Sequence, residues 1–461
     1  MRAAVVAEKA GIPAITIVVP MFANLARHTA RGMGISNPRI AQYPGSIENH
    51  SPEEVKENVA KIFDSILDSL GKPLLKESPV QTINVPNPER VIFKGTFDEV
   101  NDYFYEQKWT DGFPIVPPTS EAIEKMLSWT DIPAHKEIAT LPLANLQATP
   151  WNIAINAVMA GCRPEYMPIL IAAVEAFAEP AYQLKDVGST ISIKPFILIN
   201  GPIVKHLNIN YGCSLMAPGN RANSTIGRAL GLVVRNIAGF REGETSMGTY
   251  GWPGTPWVMA EDEEHSPWDP YHVDRGFDRN TSTVTAMMMT NMSHQFGIAS
   301  HEASTHLRKI CYNVTKAFSA YVFRFGERAS WHIFVTPPNA HVMANGGFSK
   351  EAVKKYIAEN ARLPVGEIDA DFDAMYSIFP TVHELAEQAK LPLSWDLGSG
   401  TRTLPKSWDL GPDDKIPVVL DPKLVNIVVC GSIQRNRDLV MCTAYSTPVT
   451  REIKLPSNLK L

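Results

Sequence analysis

The sequence predicts an α/β protein in two units: a small parallel-sheet, doubly wound unit at the N-terminus and a larger α/β or α+β unit behind it. Three observations carry that prediction. Residues 1–75 alternate helix, strand, helix, strand and helix patterns, which is half of a doubly wound arrangement. Residues 76–95 are Pro-rich and polar and read as a linker. Across residues 96–461, apolar helical patterns alternate with short β-branched runs.

The first unit reads element by element. Residues 2–10 form a helix that Gly11 ends, because glycine takes the left-handed conformation after a helix at little cost. Pro13 follows, and residues 14–19 read as a buried parallel strand. Residues 20–32 read as helix and 39–43 as a short strand. Ser51, Pro52, Glu53 and Glu54 make a strong helix start. Ser caps, Pro opens the first turn, and the acids meet the positive end of the helix dipole. That helix runs to about Ser69. A parallel sheet of this kind places a strand and a ligand-holding turn ahead of its first helix. The sequence opens inside that helix, so an upstream strand and turn are expected to be absent from this unit.

In the large unit the patterns predict helices over 97–108, 120–128, 152–160, 164–177, 224–237, 300–314 and 349–360. They predict strands over 196–200, 284–292, 333–336 and 426–429. Residues 239–280, rich in Gly, Pro, Trp and acids, read as one long ordered loop. No internal repeat stands out.

Composition narrows the function classes. The net charge is -5, so nothing advertises a nucleic acid or an anionic membrane, which call for a basic patch. No apolar run approaches the roughly 20 residues that span a bilayer. Five cysteines stand at 162, 213, 311, 430 and 442, an odd number with no CxxC. That argues against a secreted disulfide framework and for a reducing, cytoplasmic setting.

The most informative stretch is 210–230, in which small residues and glycines lead into a helix start at Asn223, Ser224 and Thr225. Free backbone N–H groups there suit an anion, and Arg221 and Arg228 add charge beside Asn220. Cys213 lies just upstream, where a helix start and arginines would make a thiol more reactive. The plainer alternative is a helix cap with Cys213 as a small buried residue. Cys162, between two helices, is either a packed interhelical cysteine or a catalytic one. Asp111, in the rigid loop 109–118, either lines a pocket or closes a domain edge. The turn 266–276 offers Asp269, His272 and Arg275 for binding, and with Asp274, His301 and His306 it is the main rival site. His301 and His306 stand five apart, so they do not share a helix face as HExxH does. Met287, Met288, Met289 and Met292 read either as a packed strand core or as a soft lining. Asp369, Asp371 and Asp373 read as a solvated turn.

Several blocks resemble a known family. They are 8–13 (Glu-Lys-Ala-Gly-Ile-Pro) with the strand behind it, 109–118, 156–166, 218–230, 266–276 and the closing 416–451. Together they resemble the UGSC-motif family of selenocysteine- or cysteine-containing proteins and, more loosely, the selenoprotein subunits of glycine and proline reductases. The resemblance implies a redox motif between a first strand and the helix at residue 2, supplied by an upstream segment or by a small thiol or selenol partner protein. A helix N-terminus favours a thiolate or selenolate there.

Three functions follow. The first is a thiol- or selenol-dependent redox enzyme that cleaves a carbon–heteroatom bond of a small molecule. Cys213 or Cys162 would be the second thiol, and Asp111, Arg221 and Asn223 would orient the substrate. The second is a metal-dependent hydrolase, hydratase or lyase built on the histidines and aspartates of the rival site. The third is a non-catalytic binding subunit of a reductase complex. A homo-oligomer is expected, with no assigned cofactor beyond the selenocysteine or cysteine of the motif.

Overall fold

A computed structural model describes residues 1–73, 91–252, 254–318, 322, 328–368, 370, 394–396, 401–403 and 412–457. The N-terminal unit is α1 (Arg2–Lys9), β1 (Thr16–Val18), α2 (Ala23–Gly32), β2 (Ile40–Gln42) and α3 (Pro52–Gly71). β1 and β2 pair in parallel, as expected, with Ile17 opposite Ala41. Gly11 stops α1 at φ +78°. Glu8 then folds the chain back, accepting the Ala14 amide at 2.7 Å and an ion pair from Arg39. Burial works against the Glu8 carboxylate, but Arg39 and the Ala14 amide outweigh it and hold it below its usual range. The Glu-Lys-Ala-Gly-Ile-Pro block is thus a helix stop with a built-in clamp. α3 starts as expected, with Ser51 as its cap, Pro52 in the first turn and acids behind it, and Glu54 closes a capping box with Ser51. One expectation needs correction: β1 is half-buried, and Ile17 is 51% exposed. The sheet has only two strands, and the other edge of β1 meets no strand among the described residues.

The large unit opens with α4 (Phe97–Glu106), α5 (Ser120–Leu127), a hairpin of β3 (Ala139–Leu141) and β4 (Leu146–Ala148), and the buried helices α6 (Pro150–Met159) and α7 (Met167–Ala178). Then come β5 (Lys194–Asn200), the short α8 (Ile203–His206), α9 (Arg221–Asn236), β6 (Trp257–Ala260), the single turn α10 (Tyr271–Asp274) and β7 (Thr283–Met289). The second part has the pairs of residues β8 (Asn291–Met292) and β9 (Phe296–Gly297), then α11 (Ala303–Lys316), β10 (Ser330–Val335), α12 (Pro337–Asn345) and α13 (Lys350–Asn360). Short pairs join β11 (Arg362–Pro364) to β14 (Lys415–Pro417) and β12 (Ser394–Asp396) to β13 (Thr401–Thr403). β15 (Val425–Val429), β16 (Arg437–Thr443) and β17 (Val449–Glu452) close the fold.

These strands make two sheets of the same design. In the first, β5 is flanked by parallel β6 and antiparallel β7, with β17 beyond. In the second, β10 is flanked by parallel β15 and antiparallel β16, with β8 beyond. Both crossovers to the parallel strand are helical. The register aligns the halves. The Glu261 amide donates to the Ile199 carbonyl, and the Cys430 amide to the Val335 carbonyl, at matching places. Phe196 therefore falls on His332, Leu198 on Phe334, and Glu261 on Cys430. The sheets pack face to face through Phe196, Leu198, Met259, Met287, Phe334, Val428 and Met441. The outer faces carry α6, α7 and α9 on one side and α11 to α13 on the other, each with its own apolar core. The result is four layers, α-β-β-α.

The expectation of no internal repeat is thus corrected at the level of structure. Matched positions carry different side chains of similar burial, so the backbone repeats where the letters do not. Residues 239–280 are corrected too: β6 and α10 lie inside them, because four apolar residues between glycines and prolines are too few to show a period. The strand over 284–292 breaks at Thr290 into β7 and β8, and Met287 to Met289 are packed core. α9 begins at Arg221 with Asn220 as its cap, three residues ahead of the expected start, since the Asn220 side chain accepts from the Asn223 amide at 3.1 Å. Asp371 and Asp373, Asp369 beside them, and most of the linker fall outside the described residues.

Candidate functional site

The two units meet at a cavity of about 550 Å³. The N-terminal unit contributes the head of α1 (Met1, Arg2), the carboxyl end of β1 (Val18) and α2 (Phe22, Leu25). The large unit contributes Leu143, the turn 185–189 and Arg328. In open parallel α/β units the ligand crevice lies beyond the carboxyl ends of the strands, next to a helix N-terminus. This cavity has that address. The units are locked together around it. Arg2 donates to the Lys185 carbonyl at 3.2 Å and stands 3.7 Å from Asp186. The Asn145 side chain bonds the Gly32 carbonyl, and a Cβ on Gly32 would sit 2.2 Å from the Leu143 oxygen. Only glycine allows that approach. Burial pushes the Asp186 carboxyl up, against the opposing pull of Arg2, Lys185 and Arg328.

The residues singled out in the sequence lie elsewhere. Arg228 grips Asp111 through two hydrogen bonds of 2.9 and 2.8 Å and also bonds the Phe113 and Pro114 carbonyls. The pair fastens the loop 109–118 to α9, on the wall of a separate cleft of about 790 Å³. Trp109, Pro117 and Pro118 from the same loop line a third, largely apolar groove of about 910 Å³ with Phe97, Phe104 and Trp151. So this loop lines pockets and closes an edge at once.

Asn223 is fully engaged: its amide group bonds the Asn210 backbone on both sides and the Val258 carbonyl at 2.8 Å. It staples the glycine turn to β6. Ser224 accepts weakly from the Gly219 amide at 3.4 Å, and Arg221 is exposed. Cys162 lies against Thr225, Arg221 and Arg228, yet burial pushes its thiol up to about 12, past what these partners pull down. Cys213 is exposed, not buried, on the turn before α9. Neither cysteine lines the inter-unit cavity.

The rival region is held by structural bonds. Asp269 pairs with Arg279, Asp274 with Lys350 at 2.8 Å, and Arg275 donates to the Pro448 carbonyl at 2.9 Å. His272 is buried, with Nε2 on the Arg279 carbonyl. His306 is buried too, with Nε2 on the Ser300 carbonyl. Among the described residues no group of three His, Cys, Asp or Glu side chains is placed to hold a metal ion.

Sequence reasoning missed the polar rim where the two sheets' parallel strands end. Glu261 is buried there and accepts from Asn200 at 2.6 Å and the Tyr271 amide at 2.7 Å. Burial pushes its carboxyl up to about 7, with Lys350, Tyr271 and Asn200 pulling the other way. Asp262, also buried, holds His265 Nδ1 at 2.9 Å. The signal was present in the acid run 261–264, but it lay inside the segment read as loop. Lys185 and Arg328 left no signal, because nothing local ties them to α1.

Among the described residues no helix is long and apolar enough to cross a membrane. Searches of the curated proteins and of the solved structures give no match, so the looser likeness to reductase subunits finds no counterpart there. What does match is the N-terminal unit that builds one wall of the inter-unit cavity: residues 1–72 fit the model of the UGSC family.

Proposed function

We propose that the protein is a thiol- or selenol-dependent redox enzyme, or a subunit of one, whose reaction centre is the inter-unit cavity at the head of α1. One observation carries the reading. The part of the chain that fits the UGSC family meets the large unit around a cavity at its own helix head. A thiolate or selenolate there is favoured by the helix dipole, worth about 0.3–1 kcal/mol, and by Arg2. On the family resemblance, the nucleophile is a thiol or selenol brought to that helix head by an upstream segment or by a small partner protein. The net reaction is R–X plus two thiols giving R–H, HX and a disulfide. The nucleophile displaces X from carbon, and a second thiol then attacks the sulfur or selenium, releasing carbon to take a proton. Cys162 and Cys213 stand outside the cavity, so the second thiol is an external dithiol reductant.

The test supplies the carrier encoded by in-frame DNA ahead of Met1 or by an adjacent reading frame. Dithiothreitol-dependent consumption of small α-substituted carbonyl compounds is then followed by mass spectrometry. Turnover that needs the carrier and disappears after iodoacetamide supports the reading. Turnover by the alkylated protein, or no effect of any carrier, defeats it.

A further inference from the structure

We infer that the inter-unit cavity takes a small monocarboxylate with a short apolar tail, an inference that rests on that cavity being the reaction site. Three cationic side chains border it, Arg2, Lys185 and Arg328, against a single acid, Asp186. All three line the same cavity as Asp186, and all three pull its carboxyl down. Arg2 stands closest, at 3.7 Å. Neither Lys185 nor Arg328 forms an ion pair among the described residues. Three cations less one carboxylate leave the lining at +2 with room for a further anion. A guanidinium beside an ammonium suits a carboxylate, which accepts charge-assisted hydrogen bonds from both. The rest of the lining is largely apolar: Val18, Phe22, Leu25, Ala26 and Leu143. A fully hydrated inorganic anion gains nothing from those residues, whereas a short hydrocarbon chain buries against them. The volume, about 550 Å³, fits a metabolite and not a peptide or nucleotide coenzyme of larger size.

The experiment is isothermal titration of the intact chain, thiols alkylated and no reductant present, with butyrate, acetate and the uncharged butyramide. Butyrate is expected to bind saturably, acetate several-fold more weakly, and butyramide at least about tenfold more weakly. Lys185→Gln with Arg328→Gln, which keeps the Lys185 carbonyl that Arg2 bonds and is checked for an unchanged circular dichroism spectrum, is expected to weaken butyrate about tenfold or more. Equal affinity for butyramide, an unchanged affinity in the double variant, equal affinity for acetate, or no saturable butyrate binding overturns the inference. Because no thiol takes part, a carboxylate site that survives here while turnover fails condemns the redox reading alone. Turnover of uncharged substrates without butyrate binding condemns the carboxylate alone.

Discussion

The two halves of the large unit share a backbone plan and differ in what they bury. At matched inward positions the first half places Phe196, Leu198 and Asn200, the second His332, Phe334 and Thr336. At the ends of the parallel edge strands the first half carries Glu261 and the second Cys430. Phe196 and His332, at matching register positions of the two sheets, meet edge to face, 5.3 Å between ring centroids and 87° apart. Burial, with Glu261 and Asp438 adding like charge, pushes the Cys430 thiol up, so this rim holds protons and does not generate nucleophiles. The contrast teaches that the four layers are a symmetric frame with an asymmetric, titratable seam. The cavity at the N-terminal unit lies outside that seam, where the large unit's loops and not its repeated strands form the wall.

The seam's packing should dominate any perturbation of it. Phe196 is wholly buried and touches His332 and Phe334. Phe196→Ala should cost about 4 kcal/mol, the range for deleting a buried aromatic ring. Urea unfolding checks it: a loss below about 1 kcal/mol would mean that the two sheets do not share one core.

Glu261 sets the next largest effect, and its sign is fixed. The folded carboxyl sits at about 7, above the usual 4.5. The folded state therefore holds a proton that the unfolded chain has released. The stabilising contribution is complete below about pH 4.5 and is lost as pH rises through 7. At most roughly 3 kcal/mol is involved. Glu261→Gln should abolish that fall between pH 4.5 and 7.5, read from denaturant midpoints across pH. An unchanged slope in the variant would remove Glu261 as its source.

How much of this was legible depended on the reach of the signal. The Ser51 helix start, the Gly11 stop and the parallel β1–β2 pair were readable because each shows in a short run of residues. The buried β5, β10 and β15 showed as continuous apolar runs. The repeated strand order was not readable, since Phe196 and His332 satisfy one burial requirement with unlike letters. Among the candidate site residues, Asp111 was read as catalytic and Asn220, Asn223 and Arg228 as substrate-binding, because polar groups gather at a helix start and a rigid loop. In the structure Asn220 and Asn223 bond the glycine turn, the start of α9 and β6, and Arg228 and Asp111 fasten the loop 109–118 to α9. Arg2, Lys185 and Arg328 are far apart in the chain, and only docking of the two units brings them together.

His332 supplies the smallest predicted effect, and the one that separates the halves most cleanly, because its pH dependence runs opposite to that of Glu261. Burial pushes its imidazole down to about 3, so it stays neutral in the folded core. The unfolded chain takes up a proton below about pH 6.5, the folded one does not. Stability from this residue is therefore full above pH 6.5 and is lost as pH falls toward 3. At pH 5 the loss is about 2 kcal/mol. His332→Phe gives the second half the ring that the first half already has at Phe196, in nearly the same volume. The variant should match the wild type within about 1 kcal/mol at pH 7.5 and exceed it by about 2 kcal/mol at pH 5. With both substitutions present, the Glu261 and His332 contributions to the stability-versus-pH curve should vanish together. A variant that gains nothing on acidification would show that His332 is charged or solvated in the folded protein, and the seam would then be wetter than its packing implies.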